Sequence, residues 1–305
     1  MRLSHFLGFT AAFACVWPLA VSADDVKEKS KAGLQVEAKD SNDSPKAGAS
    51  LPVYRVRNIV GMHVRDTAGK NIGKIEDLVI ELYSGDIRYV ALSVGGFAGV
   101  CNKLFAIPLS SLAFADDPKD AHFVLDMTPE KFKSAPGFDK EHWPDFADAN
   151  WAAEIDKYYQ DVKAGKRVAA EKRKGYVGEH LVFRATKVEG MAVKNESHEN
   201  LGKVDDLVVD MRHSQARYAA LAFGGFLGLG DKLFAIPWKA FVVRTDSKGN
   251  PHLELNISPE RLKSAPGFDK KNWPEIADPT WSSEIDRHYQ DDVRSTTAST
   301  GKPVK

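Results

Sequence analysis

Two adjacent acidic pairs, Glu76-Asp77 and Asp205-Asp206, stand 129 residues apart. Paired carboxylates are the groups that perform general acid–base chemistry or hold a hard cation. Each pair heads an apolar run, Leu78-Val79-Ile80 or Leu207-Val208-Val209, that reads as a strand. Neighbours on a strand project to opposite faces, so the two acids do not converge on one substrate unless a bulge or turn intervenes. The spacing therefore predicts a structural role at a strand start, or a pairing with Lys74 and Lys203; a weak cation site is the alternative.

The other reactive residue types form no set. Of nine histidines only His122 and His252 recur at matching places, as exposed strand residues, and no histidine pair has zinc-ligand spacing. Cys101 has no histidine near it in sequence, and no Gly-x-Ser-x-Gly signature occurs. The glycine-rich stretches before Lys103 and Lys232 resemble a phosphate loop only superficially. Asn102 or Asp231 precedes the lysine, Leu104 or Leu233 follows it, and Phe105-Ala106-Ile107-Pro108 continues as a strand rather than a helix. No catalytic residue, cofactor or metal is assigned.

The elements that carry these residues are written twice. Arg88 and Arg217 match at a spacing of 129, as do Gly61-Met62 with Gly190-Met191 and Lys103 to Pro108 with Lys232 to Pro237. After one extra residue near Gly249 the spacing becomes 130, and Ser134 to Lys140 meets Ser264 to Lys270, Trp143 meets Trp273, and Tyr159 meets Tyr289. A period of this length is a duplicated domain. Within each copy, Leu78 to Leu82 and Tyr89 to Leu92 form a hairpin around Ser84-Gly85, followed by strands at Leu104 to Ile107 and Phe123 to Leu125. Short strands joined by tight turns predict a small closed barrel or sandwich. A helical part follows, opened by Thr128-Pro129-Glu130 or Ser258-Pro259-Glu260, with a last helix capped by Asp148 or Asp278. Trp151, Ile155, Tyr158 and Tyr159 form one apolar face of that helix, expected to pack on the barrel or on the other copy.

Composition narrows the classes. The net charge of zero over 305 residues provides no field to gather nucleic acid. Arg2, the apolar run from Phe6 to Val21 and the small residues Val21-Ser22-Ala23 read as a secretory signal cut near Ala23; an uncleaved anchor is the alternative. Cys101 is then the only mature cysteine, and the fold stands without a disulfide. The organisation is a signal at 1–23, a disordered polar lead-in at 24–52, a first β module with helical extension at 53–162, a basic linker at 163–178, a second module at 179–293 and a disordered tail at 294–305. The fold class is mainly β with α extensions.

The spaced motifs Arg184 to Met191, Gly202 to Asp210, Arg217-Tyr218 and the stretch Lys232 to Pro237 together resemble the PRC-barrel family, known from the reaction-centre H subunit and the ribosome maturation factor. The same pattern runs from Arg57 through Lys103 to Pro108, so the resemblance covers about 53–127 and 179–257. It implies two small PRC-type barrels, each followed by a short helical segment. It also implies a module that docks onto a partner protein rather than an enzyme. No proton-path carboxylate of the reaction-centre subunit can be placed here, and none is transferred. The expected function is an exported, non-enzymatic scaffold or adaptor, stress-related, in the periplasm or secreted, with an envelope protein as partner. The alternative is a ligand- or cation-binding module using the acidic pairs or the inter-barrel cleft. Phe97, Phe226, Trp143 and Trp273 are the expected contact residues. The cluster Lys163 to Lys174 is a solvated linker or a contact for anionic lipid.

Overall fold

The computed structural model describes residues 52–95, 103–117, 119–160, 162, 181–223 and 232–300. The N-terminal apolar run, the lead-in up to Leu51, most of both glycine loops and the basic linker lie outside the described residues, and with them Phe97, Phe226 and Cys101.

In the first copy β1 (Val53–Arg55) runs directly into a one-turn helix, α1 (Val56–Ile59). Then come β2 (His63–Arg65), β3 (Asn71–Glu81), β4 (Ile87–Val94), β5 (Lys103–Pro108), β6 (Leu112–Ala115), β7 (His122–Leu125), β8 (Gly137–Asp139) and α2 (Ala149–Tyr159). The second copy repeats the order with β9 (Val182–Arg184), α3 (Ala185–Val188), β10 (Ala192–Lys194), β11 (Asn200–Asp210), β12 (Gln215–Ala222), β13 (Lys232–Pro237), β14 (Phe241–Thr245) and β15 (Pro251–Leu255). After these come α4 (Pro259–Ser264), β16 (Gly267–Asp269), α5 (Pro279–His288) and α6 (Gln290–Thr300).

Each copy forms an eight-stranded sheet, ordered β6-β7-β2-β3-β4-β5-β8 or β14-β15-β10-β11-β12-β13-β16, with one further strand on the long β3 or β11. The pairings are antiparallel except β2 with β7 and β10 with β15. The ladder does not close on itself, contrary to the closed barrel expected: three-residue β8 covers only Lys103 to Phe105 of β5 and turns away at Asp139. Apolar residues from both copies form one continuous core.

The extra strand is the main departure from two independent modules. It is exchanged. β1 of the first copy pairs with β11 of the second, Arg55 opposite Val208, and β9 of the second pairs with β3 of the first, Arg184 opposite Val79. Chain geometry explains why a place exists for it. β3 is 11 residues long, but its own neighbour β2 covers only Asn71 to Lys74 on that edge. The uncovered stretch, Val79 to Glu81, is buried, where unpaired backbone groups are costly. β9 satisfies them, and Leu82 N donating to Leu181 O extends the ladder by one bond. At the pseudo-symmetric place Met211 N donates to Pro52 O.

The β3–β4 and β11–β12 turns also meet. Ile87 N donates to Ser214 O and Ala216 N to Gly85 O, both at 2.8 Å. Trp238 Nε1 donates to Leu82 O at 3.2 Å, and its ring lies against Gly85. Gly85 has φ +76°, and a Cβ there would fall 2.4 Å from Trp238 Cδ1, so both the turn and the seam require glycine.

The helical extensions largely meet expectation. Asp148 accepts from Asn150 N and Asp278 from Thr280 N. Ile155 and Tyr159 are buried, and Trp151 packs edge-on against Tyr89 of β4 at 5.4 Å. The segment after Thr128 is a 3-10 turn (Pro129–Lys133), not an α-helix, whereas after Ser258, which caps Arg261 N, it is helical. The tail expected to be disordered from Arg294 instead continues α6 as far as Thr300, held on the second copy by Thr296 Oγ1 donating to Ala240 O.

Candidate functional site

The repeated acids lead to the seam between the copies. In both long strands a bulge falls at the pair: Ile75 opposes Leu92 and Asp77 opposes Ala91, leaving Glu76 as the extra residue, and Val204 and Asp206 flank Asp205 in the same way. The bulge separates the two acids into different duties. The second acid turns inward and is completely buried, while the first is partly exposed at Glu76 and nearly buried at Asp205.

Each inward acid binds an arginine of the other copy. Arg184 Nε donates to Asp77 Oδ2 at 2.7 Å, and Arg55 Nε donates to Asp206 Oδ2 at 2.8 Å. Each arginine is delivered by the exchanged strand, as the residue just before a one-turn helix. Its guanidinium also lies over an indole of the copy that holds the acid, Arg184 over Trp143 at 3.9 Å and Arg55 over Trp273 at 3.7 Å. The indoles are wedged by Phe138 and Phe268 from β8 and β16. Each brace therefore joins carboxylate, guanidinium and indole across the two copies.

The braces differ two residues further along. Thr186 donates to Asp77 through Oγ1 at 2.5 Å and through its backbone N at 3.2 Å. Arg57 occupies that place beside Asp206, with its Nε 3.9 Å from the carboxylate, and it also donates to Glu189 Oε2 at 3.1 Å and Asp205 O at 2.6 Å. Burial raises the pKa of Asp206, with Arg55 opposing, and burial likewise raises that of Glu189. Burial works against the Arg57 charge, but Glu189, Asp205 and Asp206 outweigh it and hold its pKa above the usual value.

The outward acids pair with lysines of the helical extension. Lys140 Nζ donates to Glu76 at 2.8 Å, and Lys270 Nζ donates to Asp205. Glu76 is held below the usual carboxylate range, chiefly by the Lys140 hydrogen bond. The expected partners Lys74 and Lys203 are not the ones used, because they sit on the same strand and the bulge turns the acids toward β8 and β16. Among the described residues no group of three or more His, Cys, Asp or Glu could hold a metal ion.

Of the expected contact residues, Trp143 and Trp273 are half-buried and form part of the braces. Phe97 and Phe226 lie outside the described residues. One histidine departs from expectation: His252 is buried, and neither ring nitrogen has a hydrogen-bond partner, whereas His122 is a partly exposed strand residue with Nδ1 2.6 Å from Asp120 O. The arginines were missed by sequence reasoning. The signal was present, since Arg55 and Arg184 keep the repeat spacing, but the first-copy pattern was started at Arg57, whose true counterpart is Thr186. Among the described residues no helix is long and apolar enough to cross a membrane.

No curated protein matches this chain. The PRC-barrel domain model matches it twice, over residues 52–130 and 180–262, each match beginning at or just before the exchanged strand and together covering more than half the sequence. The chain belongs to the PRC-barrel domain family and carries two such domains in tandem.

Proposed function

We propose that this chain is an exported, non-enzymatic docking scaffold of the cell envelope, acting through a protein partner. The observation that carries this reading is the reciprocal brace. Asp77 and Asp206 each take an arginine of the other copy, and that arginine stacks on an indole beside the acid, an arrangement that builds a body rather than a reactive centre. The N-terminal apolar run and small-residue cleavage signal support export, and the family's character as a small β module supports docking. The glycine loops, each with one phenylalanine, are the proposed contact elements.

The test uses the full chain in its native host, with a photo-crosslinking amino acid at Phe97 or Phe226. The expected result is a chain processed near Ala23, recovered from the envelope fraction, with a discrete protein adduct from at least one position. An unprocessed cytosolic chain, or no adduct from either position, overturns the reading.

A further inference from the structure

A groove of about 580 Å³ opens on the second copy beside the seam. Its floor is the start of β12, its rim the turn after Pro237, and its far wall the helices α5 and α6. Repeat spacing explains the room: Ala216 on the floor stands where the first copy has Ile87. It also explains the charge, because three basic side chains of the lining replace small ones. His213 stands for Ser84, Lys239 for Ser110 and Arg294 for Ala164.

Two carboxylates also line the groove, and both already hold donors. Asp286 accepts from Tyr218 OH at 2.8 Å and from Arg217 Nη2 at 3.1 Å. Asp210 accepts from the backbone N–H of Arg212 at 2.9 Å and meets His213 Nδ1 at 2.9 Å. Lys239 and Arg294 remain exposed at the mouth, and Arg294 makes a loose contact, 3.7 Å, with the exposed Asp291. Such a solvent-screened pair is displaced at little cost. Ala216, Pro237 and Val293 supply an apolar wall. A concave site with apolar lining and two exposed cations suits a small molecule carrying negative charge on a carbon skeleton.

We infer that this groove binds a small organic acid, its carboxylates taken by Lys239 and Arg294 and its carbon skeleton laid on Ala216 and Pro237. The site belongs to the second copy alone and stands independently of the docking role; its failure leaves that reading untouched.

Calorimetry of the full chain with succinate, citrate, inorganic phosphate and glucose tests it. The expected result is binding of at least one carboxylate with Kd between about 10 μM and 1 mM, a span reached by small ligands at exposed charges. Phosphate should bind more weakly and glucose not at all. Lys239→Ser and Arg294→Ala, which restore the first copy's residues at exposed positions, should each weaken carboxylate binding about 5- to 10-fold without altering the melting temperature. Ala216→Ile should abolish it by filling the floor. No heat with either carboxylate at 10 mM overturns the inference, a ceiling well above the expected Kd range. So does phosphate binding as tightly as the carboxylates, or binding unchanged in both cation variants.

Discussion

Arg184→Met isolates the contribution of one brace. The variant keeps an apolar stem over Trp143 but removes the guanidinium, leaving Asp77 wholly buried with only Thr186 and the Leu78 N–H as donors. Breaking a buried ion pair from one side costs about 3–5 kcal/mol. The three remaining donors place the loss at the low end, and the lost stacking on Trp143 adds about 0.5–1 kcal/mol, so about 3–4 kcal/mol is expected. Arg55→Met should cost less, about 1–2 kcal/mol, because Arg57 stays 3.9 Å from Asp206 and keeps that carboxylate charge-compensated. Urea unfolding followed by circular dichroism measures both. Double-mutant cycles then decide the topology. Coupling of about 1–3 kcal/mol is expected for Arg184 with Asp77 and for Arg55 with Asp206, and near zero for Arg55 with Asp77 and Arg184 with Asp206. If the within-copy cycles couple and the cross-copy cycles add, each module keeps its own first strand, and the exchanged brace is refuted. Equal losses for the two arginine variants would refute the role given to Arg57.

Two further outcomes follow from the same geometry. A protease site engineered between Val162 and Leu181 should, once cut, yield two fragments that co-elute as one species under native conditions and separate only in denaturant; separation without denaturant would show that the exchanged strands do not hold the halves together. Burial, aided by Lys194, lowers the pKa of His252 from its ordinary 6.5, with Glu254 and Asp246 opposing. A depressed histidine leaves the unfolded chain binding more protons below pH 6.5, so stability present above that pH is lost as pH falls toward the folded-state value. The melting temperature should therefore drop more steeply between pH 6.5 and 5 in the native chain than in His252→Leu, a window that begins at the ordinary value; parallel curves would show that this imidazole does not titrate against the fold.

Much of the architecture was legible because it is local. Leu78-Val79-Ile80, the Ser84-Gly85 turn and the Asp148 and Asp278 caps each state their structure within a few residues, and duplication states each one twice. The extra residue of each bulge was not placed from the sequence, since two adjacent polar residues in Ile75-Glu76-Asp77-Leu78 suit a strand start or a turn as well as a bulge. That residue decides which acid goes inward. His252 was misread for a related reason: a polar residue in a short strand looks solvent-facing until β14 and β10 close over both its edges. The continuation of α6 past Arg294 was hidden by its polar composition; its hold on the second copy comes from contacts such as Thr296 with Ala240, not from helical periodicity.

By itself the sequence determined the doubling, the main strands of each half and the family, because these depend on residue type and spacing. Which half owns the first strand of each sheet was decided only by tertiary structure. Arg55 and Arg184 are equivalent in sequence, and either carboxylate suits either guanidinium. The choice falls to the exposed edge of an 11-residue strand whose own neighbour is too short to cover it, and long-range pairing of that kind leaves no local mark on the chain.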